Sequence, residues 1–109
     1  MILPAVAAGC DAVWHIFAIR HPERDWLARQ LRQEGIGTLI HYPVPPHLSA
    51  AYQDSGFRRG AFPLAEEIAA TELSLPLHPY LTKDQVDEII GSLCLAACLP
   101  ATVMAGAAS

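Results

Sequence analysis

Prolines place the strongest constraint on how this chain can fold. Residues 36–42, with the sequence IGTLIHY, alternate side chains in the manner of a β-strand and are followed by Pro43, Pro45 and Pro46. A proline has no backbone N–H to donate to a strand ladder, so the strand predicted here must end at Tyr42. The prolines that follow predict a short, rigid, extended segment.

Three side chains suited to ligand contact lie at this junction. His41 and Tyr42 end the predicted strand, and His47 follows the last of the prolines. In α/β proteins, ligand-contacting groups are commonly found at the carboxyl ends of strands and in the loops that follow them. The spacing makes these residues candidates for a site without defining their ligand.

Hydrophobic periodicity elsewhere predicts a mixture of strands and helices. In chain order, the pattern favours a strand at 13–20, a helix at 22–34, a helix beginning at Pro63, a strand at 73–77 and a helix beginning after Thr82. Together with the strand before the prolines, these elements predict an α/β (α+β) domain in which helices pack on a small mixed sheet of about three strands. With 109 residues, of which 52% are hydrophobic, the chain is long enough for one such core.

Signals at the helix ends support these boundaries. Pro22 suits a first helical position, and Gly35 favours the left-handed conformation that ends a helix. Thr82 and Gln85 have the spacing of a capping box. Apolar residues then recur at helical spacing and predict a core-facing stripe formed by Val86, Ile89, Ile90 and Leu93.

Charge and cysteine usage exclude several classes of function. The formal net charge is -4 and the basic residues are dispersed, so the chain lacks the basic patch of a nucleic-acid-binding protein. Cys10, Cys94 and Cys98 are an odd set without the spacing of a disulfide framework, which favours reduced thiols in the cytoplasm. The low charged fraction of 17% indicates that some apolar surface meets another chain or domain.

Three motifs in a fixed order carry a resemblance to a known family. They are HYP at 41–43 with a further histidine at His47, FPLAEE at 62–67, and LSLPLHP at 73–79. In this order they resemble the carboxyl-terminal domain of the DegT/DnrJ/EryC1/StrS aminotransferases, which are pyridoxal-phosphate enzymes that aminate keto-sugars attached to nucleotides. The resemblance spans about residues 2–93 and implies the small domain of a fold-type I aminotransferase.

The resemblance also implies what this chain lacks. Transamination requires a lysine that holds pyridoxal phosphate as a Schiff base and an acid at the pyridinium nitrogen, and in the family both lie in a larger amino-terminal domain. The single lysine here, Lys83, falls in the first turn of a predicted helix, where its amine is expected to be solvated and charged. We therefore expect no catalytic or cofactor-binding residue in this chain, and no transaminase activity from it alone.

For the complete enzyme, the resemblance implies that this domain closes over the cofactor domain and helps to position the substrate. The expected partners are a nucleotide-linked keto-sugar, an amino donor, the missing amino-terminal pyridoxal-phosphate domain and the second subunit of a cytoplasmic homodimer. His41, Tyr42 and His47 are then candidate substrate-binding residues. Imidazole and phenol groups can hydrogen-bond to sugar hydroxyls or to a diphosphate without a fixed charge.

Other polar residues have a structural interpretation that competes with a functional one. His15, on the first strand, is expected within or at the rim of the core rather than at a ligand. The pair Arg58 and Arg59 is expected to be a solvated face rather than a phosphate contact. Glu66 and Glu67 are expected to be solvated rather than to act as a general base, because adjacent positions on a helix point in different directions.

The final residues differ in composition from the rest. We divide the chain into an aminotransferase small domain at 1–93 and an apolar, alanine-rich tail at 94–109 that we expect to be poorly ordered. No charged residue follows Glu88, which raises the question of a membrane span. Pro100 and the lack of a basic flank argue against insertion.

Two other classes of function stay open on the sequence alone. In the first, His41, His47 and His78 with a cysteine form a small metal-binding module. In the second, the apolar tail makes the chain a small tail-anchored or interaction protein.

Overall fold

Two antiparallel strands and three α-helices form the fold, which a computed structural model describes over residues 1–98. In chain order the elements are β1 (Phe17–Arg20), α1 (Arg24–Gln33), α2 (Pro63–Thr71), β2 (Glu72–Leu75) and α3 (Lys83–Cys98). Two short 3-10 helices, Pro46–Leu48 and Ala50–Ser55, lie between α1 and α2. This arrangement confirms the α+β class expected from the sequence, with the named strands forming one antiparallel pair.

The strand predicted at 13–20 forms only over its last four residues. The register places Phe17 opposite Leu75 at one end of the ladder. The next residue of the partner strand, Pro76, has no N–H to donate, so the ladder ends there. Residues 13–15 are consequently left exposed.

The strand predicted at 36–42 contributes a single bridge instead of a full strand. Leu39 exchanges two backbone hydrogen bonds with Ser74, at N···O distances of 3.1 and 2.8 Å. Two residues later, the backbone N–H of His41 donates to the carboxylate of Glu72 at 2.8 Å rather than to a backbone carbonyl. The segment therefore runs along the edge of β2 and is tied to it in part through a side chain.

The core lies between the sheet and the helices α1 and α3. Its buried apolar side chains are Ile19, Trp26, Leu27, Leu31, Ile36, Leu73, Leu93 and Ala96. On the first helix, Trp26, Leu27 and Leu31 are buried and Ala28 is half-buried, so they form a continuous apolar stripe. Because this stripe faces β1 and β2 directly, α1 and the strand pair form the most completely packed part of the domain.

The terminal signals of the helices are confirmed except for Pro22, which lies before the N-cap Glu23 rather than at the first helical position. The helix predicted at 22–34 is found at Arg24–Gln33, and Gly35 adopts the expected left-handed conformation with φ of 80°. At the start of α3, the N–H of Thr82 donates to Gln85 Oε1 at 3.0 Å. The N–H of Gln85 donates in return to Thr82 Oγ1 at 3.2 Å, which completes the capping box.

Apolar side chains of α3 are less buried than predicted. Of the stripe predicted on α3, Leu93 is buried, whereas Val86 and Ile90 are exposed. A sheet of two strands is too narrow to cover both sides of this helix. An open apolar groove of about 560 Å³ results, lined by Met1, Leu3, Trp14, Phe17, Leu75, Pro76, Leu77, Leu81, Val86, Ile89, Ile90, Leu93 and Cys94.

The last helix continues through Cys98 and so includes the first residues of the tail predicted at 94–109. Residues 99–109, and the prediction that they are poorly ordered, lie outside the described part of the chain. Among residues 1–98, none of the helices combines the length and the apolar character needed to cross a bilayer.

Truncating Leu27 tests the location of the core. Leu27 is 1% exposed, so Leu27→Ala removes buried methyl groups and leaves a cavity. The free energy of unfolding, measured by urea denaturation, is expected to fall by about 2–5 kcal/mol. Leu64→Ala on α2 is the matched control: Leu64 is 63% exposed, and the expected change is about 0.5 kcal/mol. Equal losses in the two variants would contradict this assignment of the core.

Candidate functional site

An open cleft at the edge of the sheet is lined by both His41 and Tyr42. Its volume is about 290 Å³. Its walls come from residues before β1, from the segment that precedes the prolines, and from the end of β2: His15, Ile16, Gly37, Leu39, His41, Tyr42, Ser74, Leu75, Pro76 and Leu77. The cleft therefore forms where the β1–β2 ladder ends, since the chain separates there on both sides.

The two candidate residues are presented to this cleft differently. Tyr42 is 72% exposed, so its phenol is accessible to a ligand. His41 is half-buried, and its ring meets that of Tyr42 edge-on with centroids 5.5 Å apart. His41 thus has a position fixed by the domain, whereas the position of Tyr42 is set mainly by its backbone.

Hydrogen bonds from β2 hold His41 at both its backbone and its ring. The backbone N–H donates to Glu72 Oε2 at 2.8 Å, and the ring Nδ1 lies 2.8 Å from Ser74 Oγ. The Ser74 hydroxyl in turn donates to the Glu72 carboxylate. Glu72 is 3% exposed, so these donors replace the water that its carboxylate loses on burial.

Neither Glu72 nor Ser74 was identified as a site residue from the sequence. The available signal is their spacing in ELSL: two polar residues two positions apart in a short apolar strand lie on the same face of that strand. A polar face on a buried strand requires partners, and here His41 provides them.

His47 lies apart from this cleft. Its Nε2 is 2.9 Å from Glu66 Oε1, and its ring meets that of Phe62 with centroids 4.9 Å apart. It lines a separate apolar pocket of about 360 Å³ with Tyr52 and Phe57. The structure therefore places two of the three candidate substrate-binding residues in one cleft. The third, His47, ties the 3-10 helix Pro46–Leu48 to α2.

The prediction that Glu66 is solvated is wrong. Its carboxylate accepts hydrogen bonds from His47 and from the N–H of Gly60, the latter at 2.7 Å. The hydrogen bond from His47 is the main reason that the pKa of Glu66 is lowered from its usual 4.5. Helical spacing could not reveal this pairing, because His47 lies 19 residues earlier in the chain.

His15 also differs from its predicted position. It was expected within or at the rim of the core, yet it is exposed and lines the same cleft as His41. The reason is the early end of the β1 ladder, which leaves the residues before Phe17 unpaired with β2. Arg58 and Arg59 are exposed, as predicted for a solvated face.

The metal-binding alternative is contradicted within residues 1–98. No cluster of three or more His, Cys, Asp or Glu side chains in this part of the chain has the geometry to hold a metal ion. His41 and His47 instead have separate partners, Ser74 and Glu66. Cys10, Cys94 and Cys98 are free thiols at the surface.

Comparison with known proteins identifies the family. The sequence model of the DegT/DnrJ/EryC1/StrS aminotransferase family matches residues 2–94. The chain belongs to this family. The resemblance carried by the three sequence motifs is thereby confirmed.

Two similar proteins come from Saccharopolyspora erythraea and Streptomyces venezuelae. The chain is 46% identical over 91 residues to the erythromycin biosynthesis sensory transduction protein EryC1 of Saccharopolyspora erythraea, covering 84% of this chain and 25% of that protein. It is 44% identical over 91 residues to the dTDP-3-amino-3,4,6-trideoxy-alpha-D-glucose transaminase of Streptomyces venezuelae, covering 84% and 24%. The chain thus spans about a quarter of the length of these relatives.

Solved structures of family members have the same fold over this region. Streptomyces venezuelae DesV in complex with a ketimine intermediate matches with a TM-score of 0.87 and 41% identity, covering 91% of this chain and 27% of that one. A DegT/DnrJ/EryC1/StrS aminotransferase from Brucella abortus matches with a TM-score of 0.76 and 38% identity, covering 84% and 24%.

Aminotransferases of this family typically depend on pyridoxal phosphate, which such enzymes hold on a lysine side chain. Lys83 is the single lysine of the sequence, and its side chain is 83% exposed on α3. It forms an ion pair with Asp87 one turn later.

Acid should weaken the domain through the His47–Glu66 pair. Because the pKa of Glu66 is lower in the folded state than its usual 4.5, the pair stabilises the fold fully above that value. The contribution is lost as the pH falls through the lower folded-state pKa. Urea unfolding measured from neutral pH into acid should show this loss, and Glu66→Gln should remove it.

Glu88→Gln provides the matched control, since Glu88 is an exposed carboxylate on α3. That variant should keep the acid-induced loss of stability seen in the natural sequence. Retention of the full loss in Glu66→Gln would contradict the assignment of this pH dependence to the His47–Glu66 pair.

Proposed function

We propose that this chain is the substrate-side domain of a pyridoxal-phosphate-dependent nucleotide-sugar aminotransferase. The observation that carries the proposal is the cleft containing His41 and Tyr42 in a chain of the DegT/DnrJ/EryC1/StrS family. In this role the domain contributes hydrogen bonds to the substrate and leaves the chemistry of amino transfer to another domain.

The character of the cleft supports a sugar as the substrate. Its accessible polar groups are the imidazoles of His15 and His41 and the phenol of Tyr42. These groups donate and accept hydrogen bonds without a fixed charge, as the hydroxyl groups of a sugar require. Apolar walls from Leu39, Leu75 and Leu77 suit the C–H face of a sugar ring. By analogy with the transaminases named above, the ligand would be a keto-sugar linked to a nucleotide.

A larger domain that carries the cofactor is the partner implied by this role. The chain spans about a quarter of the length of its relatives, and it exposes an apolar groove between α3 and the residues that precede β1. Exposed apolar surface of this extent is typical of contacts with another domain or subunit. We propose that the lysine-bearing domain and the second subunit of a cytoplasmic homodimer complete the enzyme.

The same reasoning gives a chain that is inactive by itself. Lys83 is hydrated and paired with Asp87, so we propose that neither Schiff-base formation with pyridoxal phosphate nor amino transfer takes place on this chain alone. An amino donor and the cofactor would then bind only to the completed enzyme.

A chimeric enzyme tests this function. Residues 2–94 would replace the corresponding segment of the Streptomyces venezuelae transaminase, to which the chain is 44% identical. The chimera is expected to aminate the nucleotide-linked sugar of that enzyme. His41→Ala should lower kcat/KM about tenfold or more, and Tyr42→Phe should lower it several-fold, as expected when a hydrogen bond to substrate is lost.

His78→Ala is the matched control for these variants. His78 is exposed after β2 and does not line the cleft, so kcat/KM should be unchanged. An active chimera in which both His41→Ala and Tyr42→Phe retain full kcat/KM would overturn the proposed role of the cleft.

A further inference from the structure

A polar face on β2 lies directly behind the candidate cleft. Alternation along the strand places Glu72 and Ser74 on one face, while Leu73 between them faces the core and is fully buried. Glu72 and Ser74 are themselves buried. Both are joined by hydrogen bonds to His41, the residue through which the proposed substrate contact would act.

The order of donors along this hydrogen-bonded chain follows from the chemistry of its ends. A carboxylate only accepts hydrogen bonds, so the single O–H of Ser74 must donate to Glu72. Ser74 Oγ can then only accept from the imidazole nitrogen that lies 2.8 Å away, Nδ1 of His41. Nδ1 must therefore carry the proton of the neutral ring, which leaves Nε2 with a lone pair.

We propose that Glu72 and Ser74 are positioning residues that hold neutral His41 in the Nδ1–H tautomer. Nε2 of His41 then acts as a hydrogen-bond acceptor for a hydroxyl or ammonium group of the ligand in the cleft. The part played by the ligand rests on the function proposed above. The tautomer itself is a property of the chain alone.

One carboxylate fixes two features of His41 in this arrangement. Glu72 Oε2 accepts from the backbone N–H of His41, which sets the position of its main chain. Through Ser74, the other carboxylate oxygen sets the tautomer and the orientation of the ring. Partners that fix both a side chain's position and its tautomer are a recurrent means of preparing histidine for function.

Other histidines in the chain provide internal references with the opposite tautomer. Nδ1 of His21 accepts from the N–H of Glu23 at 3.1 Å, and Nδ1 of His78 accepts from the N–H of Tyr80 at 3.2 Å. Both rings therefore carry their proton on Nε2 when neutral. His47 does so as well, because its Nε2 faces the carboxylate of Glu66.

Nitrogen-15 NMR of the histidine rings tests the tautomer directly. The full 109-residue chain would be measured at about pH 8, above the usual histidine pKa of about 6.5. His41 is expected to show a protonated Nδ1 and an unprotonated Nε2, while His21, His47 and His78 show the reverse. An Nε2–H tautomer for His41 in the natural sequence would overturn the proposal.

Variants at Ser74 identify the source of the preference. Ser74→Ala removes the acceptor for Nδ1–H, so the Nδ1–H form of His41 should fall to a minority, whereas Ser74→Thr keeps a hydroxyl and should restore it. Amide spectra of each variant would verify that the fold is retained. An unchanged tautomer in folded Ser74→Ala would overturn the role of Ser74. If that variant is unfolded, Glu72→Gln supplies the test, because the loss of the carboxylate should reduce the same preference.

Kinetics in the chimeric enzyme separate this proposal from the proposed function. Ser74→Ala should lower kcat/KM about fivefold, with Ser74→Thr restoring most of it. An effect of His41→Ala without the Nδ1–H tautomer would leave the function standing and overturn the positioning role. The Nδ1–H tautomer together with full activity of His41→Ala would instead contradict the proposed substrate contact and leave the tautomer assignment intact.

Discussion

The buried carboxylate of Glu72 is the constraint on which this arrangement depends. It accepts from the backbone of His41 and from the hydroxyl of Ser74, and its backbone carbonyl accepts from Arg24 Nη1 at 2.9 Å. Arg24 also donates to the carbonyl of Ala69 at 3.2 Å, so α1, the end of α2 and β2 meet at one point. Glu72 is 3% exposed, and a carboxylate buried in this way is tolerated only when donors replace its water. Its hydrogen bond with the backbone of His41, together with the Leu39–Ser74 bridge, holds the residues before the prolines against β2.

The narrow sheet explains why one part of the domain is well packed and another part leaves apolar surface exposed. Four residue pairs join β1 to β2, and Pro76 stops the ladder from growing. Helix α1 packs on the strand face that carries Ile19 and Leu73, and it buries Leu27 and Leu31 there. Next to α3, the apolar groove stays open, and the cleft forms where the ladder ends. The feature that limits the sheet therefore creates the surfaces that a partner domain and a ligand would use.

The sequence predicted the local elements well because their signals are local. Gly35 ends α1, and Thr82 with Gln85 caps α3, as residue types and spacing indicate. The three motifs also predicted the family. Pairings between distant segments were not predictable in this way. Alternation shows which face of a strand is buried but not which strand pairs with it, so the stretch at 36–42 was expected to be a strand and forms a single bridge.

In the candidate site, too, local features were predictable and pairings between distant residues were not. His41 and Tyr42 are adjacent in the chain and line one cleft, whereas His47 is drawn away by Glu66, a partner that spacing does not reveal. Glu72 and Ser74 are visible in the sequence only as polar residues in a short apolar strand. Their role depends on the position of His41 across the sheet edge, which only the folded chain defines.

Whether the chain alone can bind pyridoxal phosphate covalently distinguishes a substrate-side domain from a complete enzyme. The most direct measurement incubates the purified chain with pyridoxal phosphate, an amino donor and a nucleotide-linked keto-sugar, follows amino transfer, and then reduces the sample with borohydride for mass spectrometry. With Lys83 hydrated and paired on the surface of α3, no amino transfer is expected, and Lys83→Ala should behave identically. Turnover by the chain alone, abolished both by Lys83→Ala and by borohydride trapping of the cofactor on Lys83, would contradict the account.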